Sequence, residues 1–123
     1  MATVLVIDHT KGIQGTLRAI LEAEGHAVHA ASHGSEGVAY CEEHAIDVVL
    51  MDLTMPAQQG LETMRGLWAM APSPKIIAIA GGRYATRLRL LEDAAALTAD
   101  RILQQPIRAR DLLMAVQELL AEI

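Results

Sequence analysis

The chain has 123 residues, 10 Lys+Arg against 15 Asp+Glu for a formal net charge of −5, and 52% hydrophobic residues, which fits one folded domain with a substantial core and excludes a disordered chain. The acidic balance argues against a nucleic-acid binder, whose non-specific affinity comes from attraction to phosphate. No apolar run approaches the roughly 18 residues of a membrane span, and the N-terminus MATVLVIDHT lacks the basic segment of a signal peptide.

Thr3–Ile7 (TVLVI) is a β-branched apolar run of the kind found in strands covered on both faces. Ile13, Leu17, Ile20 and Leu21 then share one helical face, and Gly25 stops that helix. Ala27–Ala31 is a weaker strand, and Ser35–His44 a weaker helix, since it holds Gly37 and few large apolar residues. Cys41 is the sole cysteine; it cannot form an internal disulfide, so it reads as a small packed residue, and a reducing cytoplasm is the expected compartment. Asp47–Met51 (DVVLM) is a second strong strand. Leu61, Met64, Leu67 and Trp68 mark another helix face, halted by Pro72-Ser73-Pro74. Lys75–Ala80 (KIIAIA) is a third strong strand. A helix from Tyr84 to about Leu97 carries Leu88, Leu91 and Ala95, Arg101–Leu103 is a weak strand, and Leu112, Val116, Leu119 and Ile123 define the last helix. Repeats, low-complexity tracts and linkers are absent, so residues 1–123 read as a single domain.

Strands alternating with helices imply an α/β fold: a doubly wound parallel five-stranded sheet with right-handed crossovers and helices on both faces. Ligands of such sheets sit beyond the carboxyl ends of the strands. That directs attention to Asp8-His9-Thr10-Lys11, Asp52-Leu53-Thr54, Ala80-Gly81-Gly82-Arg83 and Gln104-Gln105-Pro106. One Asp closing one strand is commonly a cap for the next helix. Asp8 and Asp52 on two neighbouring strand ends point instead to a cation or phosphoryl site.

The blocks VLVID (Val4–Asp8), DVVLMDLTMPAQQGLE (Asp47–Glu62), KIIAIA (Lys75–Ala80) and ADRILQQPI (Ala99–Ile107) resemble the receiver domain of bacterial two-component response regulators, with compatible spacing over essentially the whole chain. The Asp-Leu-Thr-Met-Pro run followed four residues later by Gly60 is the most specific piece. The resemblance implies a flavodoxin-like (βα)5 fold and a phosphorelay module that is not itself an enzyme. Asp52 takes the position that accepts a phosphoryl group from a histidine kinase or phosphotransfer protein. Mg²⁺ would be held by Asp8, the residue at His9, Asp52 and the backbone carbonyl of Thr54. Ala80 stands where the family has a Ser or Thr hydroxyl, Ile102 where it has an aromatic switch residue, and Gln105 where it has a lysine. A cis peptide is expected before Pro106. Leu88, Ile102 and Ile107 would lie near the family's usual partner surface, serving a homodimer or a downstream regulator.

The departures from the family pattern lead to a further expectation. Removing one preorganised charge stabiliser from an active site typically costs about 3 kcal/mol, and His9, Ala80 and Gln105 alter three. Phosphorylation is therefore expected to be weak or absent. With nothing after Ile123 to read out a change, output is expected through protein–protein contacts. His9 admits three readings: a solvent-facing loop residue, a ligand shifting the site toward Mn²⁺, Zn²⁺ or Ni²⁺, or an imidazolium paired with Asp52. Lys11 and Arg83 are solvated surface cations, or substitutes for the charge missing at Gln105. His26, His29, His33 and His44 show no ligand spacing and are taken as surface residues. An alternative function is a small-ligand or flavin binder, for which Thr10–Thr16 (TKGIQGT) would be the phosphate cradle and Tyr84 the stacking ring.

Overall fold

The computed structural model describes residues 1–8, 11–52, 57–80 and 99–123. The strands are β1 (Thr3–Ile7), β2 (Ala27–Ala31), β3 (Val48–Asp52), β4 (Lys75–Ala80) and β5 (Arg101–Gln104); the helices are α1 (Lys11–Ala23), α2 (Gly34–Glu43), α3 (Ala57–Trp68) and α4 (Ala109–Leu120). The expected helix from Tyr84 to Leu97 lies outside the described residues, as does Leu88.

All strand pairs are parallel, and the sheet runs β2-β1-β3-β4-β5. This is the doubly wound parallel architecture that the alternating pattern implies, in the flavodoxin-like form that the resemblance implies. Successive side chains of a strand point to opposite faces, and here both faces are covered. Val4, Val6, Leu50, Ile77 and Ile79 pack with Leu17 and Leu21 of α1 and Leu112, Val116 and Leu119 of α4. Leu5, Ile7, Val49, Met51, Ile76 and Ala78 pack with Met64 and Leu67 of α3 and with Val38, Tyr40 and Cys41 of α2. Continuous apolar runs in β1, β3 and β4 are the consequence.

The end of α1 shows why Gly25 stops it. His26 N–H donates to Leu21 O at 3.2 Å and Gly25 N–H to Glu22 O at 3.0 Å, with Gly25 at φ 87°. This paired closure needs a left-handed residue, which glycine adopts without steric cost.

Several elements differ in detail from the sequence expectation. α2 forms despite Gly37 and because of it: a Cβ there would collide with the Ile7 side chain, and one at Gly34 with Thr63. Absent side chains let α2 lie close on β1 and α3. Trp68 is 66% exposed rather than part of the buried α3 face, which is formed by Gly60, Thr63, Met64 and Leu67. Ile123 is likewise exposed beyond the end of α4, and Ala115 completes that helix's buried stripe. Asp47 stands one residue before β3, its Oδ2 accepting the Thr3 N–H at 2.8 Å. Asp100, just before β5, does the same for Ile76 N–H at 2.8 Å. Each carboxylate satisfies an amide at the start of the neighbouring strand.

Candidate functional site

The parallel register sets the carboxyl ends of the strands side by side. Ile7 is level with Met51, so Asp8, the next residue after β1, stands beside Asp52, the last residue of β3. Both are 1% exposed. Asp52 is level with Ile79, which puts Ala80 one step further along β4. Gln105 N–H donates to Ala80 O at 2.8 Å, extending the row past β5. Asp8, Asp52, Ala80 and Gln105 are thus assembled from four strands into one line at the same end of the sheet.

The first position in the line is anchored by a residue the sequence reading did not single out. Asp8 N–H donates to Ala31 O at 3.0 Å. The Gln14 side-chain amide donates to Asp8 O and, at 3.2 Å, to Ala31 O. Gln14 therefore ties the exits of β1 and β2 from the first turn of α1, fixing the backbone that carries Asp8. No local pattern marks such a role. Asp47 and Asp100 carried a readable signal, an Asp directly before a β-rich run.

Two carboxylates buried on adjacent strands form an acidic, oxygen-only donor set, which suits a hard divalent cation such as Mg²⁺ and disfavours a bound phosphate without one. Among the described residues no group of three or more His, Cys, Asp and Glu is placed to hold a metal. The other two expected contributors, His9 and the Thr54 carbonyl, lie outside the described residues, as does Arg83.

On the far side of the line, Ala80 is fully buried and offers only a methyl group. Gln105 is half-buried and precedes a cis peptide bond to Pro106. Its neutral amide can donate a hydrogen bond but brings no charge. Ile102 is half-buried and packs on the α2/α3 side of the sheet, whereas Ile107 packs on the α1/α4 side. These two expected partner-surface residues therefore belong to opposite faces. Ile107 and Pro106 line, with Gln105, Ile13, Leu17 and Ile20, an apolar groove of about 450 Å³ between α1 and the β5–α4 connection.

The surface histidines are more engaged than their spacing suggests. Tyr40 Oη lies 2.9 Å from His29 Nδ1, and the Tyr40 ring stacks on His44 at 4.0 Å. His26 Nδ1 accepts the Ala2 N–H at 3.0 Å. No described helix is long and apolar enough to cross a membrane.

Comparison with known proteins places these features in context. The profile of the response regulator receiver domain matches residues 4–117. The transcriptional regulatory protein ResD of Bacillus subtilis is 34% identical over 117 residues, which are 95% of this chain and 47% of that protein. The chain spans about half the length of the curated relatives it matches over most of its own length. A response regulator receiver domain from Clostridium thermocellum superposes with a TM-score of 0.88 at 29% identity, covering 99% of this chain and 96% of that one. The beryllofluoride-activated NtrC4 receiver domain dimer does so with a TM-score of 0.81 at 26% identity, covering 99% and 98%.

Proposed function

The chain belongs to the response regulator receiver family of two-component signalling, and on that premise we propose that it is a phosphorelay module with Asp52 as acceptor and a blunted switch. The observation that carries the reading is the line itself: two buried carboxylates, Asp8 and Asp52, adjoin a methyl and a neutral amide, Ala80 and Gln105. In the transfer, an Asp52 carboxylate oxygen forms a bond to phosphorus while the donor's bond to phosphorus breaks and its electron pair leaves with the donor. The product is a mixed anhydride carrying about two negative charges where there was one. When bound, Mg²⁺ would supply charge neutralisation, held by Asp8 and Asp52 with His9 and the Thr54 carbonyl.

What this chain's own residues add is small. Ala80 has no hydroxyl to engage a phosphoryl oxygen, and Gln105 gives at most a neutral hydrogen bond. Ile102, packed against the α2/α3 core, has no polar tip to move between environments. The adduct therefore forms slowly and repositions little, and output depends on protein contacts that pre-exist phosphorylation. The groove beside Ile107 supplies apolar area for such a contact, with a histidine kinase, a phosphotransfer protein, a downstream regulator or a second copy of the chain as its class of partner. The cytoplasm is the compartment where these partners meet it.

Incubation with acetyl phosphate or phosphoramidate and Mg²⁺, followed by intact-mass measurement, tests the reading. A slow, partial gain of one phosphoryl group, absent in Asp52→Ala, is expected. Prompt and complete modification would refute the blunted switch, and modification surviving in Asp52→Ala would refute the acceptor.

A further inference from the structure

The sheet has two edges, β2 and β5. Along β2 the ladder to β1 fixes the direction of every backbone group. Ala27 N–H donates to Ala2 O at 2.9 Å, and Ala31 O accepts the Asp8 N–H at 3.0 Å. Alternation then turns His29 toward β1 as well, and turns the amides and carbonyls of Val28 and Ala30 outward. The strand reads AVHAA and carries no Asp, Glu, Lys or Arg of its own. An uncharged edge with outward donors and acceptors is a template for pairing with another strand.

The neighbouring helix closes that template. Arg18 Nη2 donates to Val28 O at 2.6 Å, and its Nε lies 3.3 Å from Glu22 Oε1 one turn further along α1. The Arg18 side chain is 48% exposed, so it is held at the surface by these two contacts rather than by core packing. A half-exposed ion pair adds little to stability. Its effect falls on what can approach the edge.

We propose that Arg18 is a plug on the β2 edge that keeps a second copy of this chain from adding to the sheet. Symmetric antiparallel pairing of β2 with the same strand of another copy, centred on His29, would set each Val28 opposite the other copy's Ala30. All the outward groups of both residues would then be satisfied. Arg18 occupies the Val28 carbonyl that this arrangement needs.

Light scattering over a protein concentration series tests the plug. Arg18→Ala, which keeps good helix propensity in α1, is expected to associate at about tenfold lower concentration than the unsubstituted protein, two hydrogen-bond acceptors having been freed. Adding Ala30→Pro removes the outward N–H and is expected to return the curve to that of the unsubstituted protein. Superimposable curves for Arg18→Ala and the unsubstituted protein overturn the proposal, and so does association that Ala30→Pro leaves intact. Should Ala30→Pro disturb the fold, amide exchange in concentrated Arg18→Ala decides: protection of the Ala30 amide supports pairing, and an unprotected amide in an associated sample refutes it.

Discussion

Gln105 donates its backbone N–H to the carbonyl of Ala80 at 2.8 Å, so a neutral amide and a methyl group stand next to each other beside Asp52. On the proposed reading a methyl and a neutral amide occupy these two places. A deficit of that kind would be chemical, and side-chain replacement would reverse it.

Gln105→Lys combined with Ala80→Ser is expected to raise the rate of modification by acetyl phosphate about a hundredfold, the scale of one to two preorganised stabilisers. Time-resolved intact mass gives the rate. A double variant no faster than the unsubstituted protein would place the defect elsewhere in the pocket.

Asp8 and Asp52 stand buried on adjacent strand ends, and a charge taken out of water costs free energy. Asp52→Asn is therefore expected to stabilise the fold by about 1–2 kcal/mol in chelator-treated buffer. Millimolar Mg²⁺ should raise the melting temperature of the unsubstituted protein and leave Asp52→Asn almost unmoved, because a ligand stabilises only the state that binds it. Thermal melts with and without Mg²⁺ check both parts.

Glycines at helix positions divide by what surrounds them. A Cβ at Gly15 meets nothing within 4 Å, whereas one at Gly34 runs into the buried Thr63. Gly15→Ala is expected to stabilise by about 0.5–1 kcal/mol through helix propensity, and Gly34→Ala to destabilise by about 2–3 kcal/mol through overpacking. Urea unfolding should show the opposite signs.

Removing the Asp47 carboxylate leaves the Thr3 amide without its acceptor at the start of β1. Asp47→Ala is expected to cost about 1–2 kcal/mol, and Asp100→Ala a similar amount at Ile76. Denaturant midpoints measure each. An unchanged midpoint would mean that water replaces the carboxylate without loss.

Burial pushes the Cys41 thiol up to about 11 from an ordinary 9.0. The thiolate is the reactive species, so at pH 8 its population falls about a hundredfold below that of an unburied thiol. Alkylation by iodoacetamide in the folded protein should be correspondingly slow and should recover to the free-thiol rate in denaturant, as followed by mass.

The amino-acid order alone determined the inner strands β1, β3 and β4, the buried stripe of α1, most of that of α4 and the Gly25 stop, because a strand covered on both faces must be apolar and an amphipathic helix must repeat every three to four residues. Those are local requirements, visible in TVLVI or in Ile13, Leu17 and Leu21. It also marked Asp8 and Asp52, since a carboxylate ending an apolar run stands out. What it left open depended on which strands become neighbours. Only the order β2-β1-β3-β4-β5 sets Asp8 against Asp52 and Gln105 against Ala80. Only packing turns Trp68 outward, sends Ile102 and Ile107 to opposite faces, and makes Gly37 an asset to α2. Arg18 is an ordinary helix surface residue until β2 is laid beside α1 as an edge, because the carbonyl it covers exists as an unpaired acceptor only in the assembled sheet.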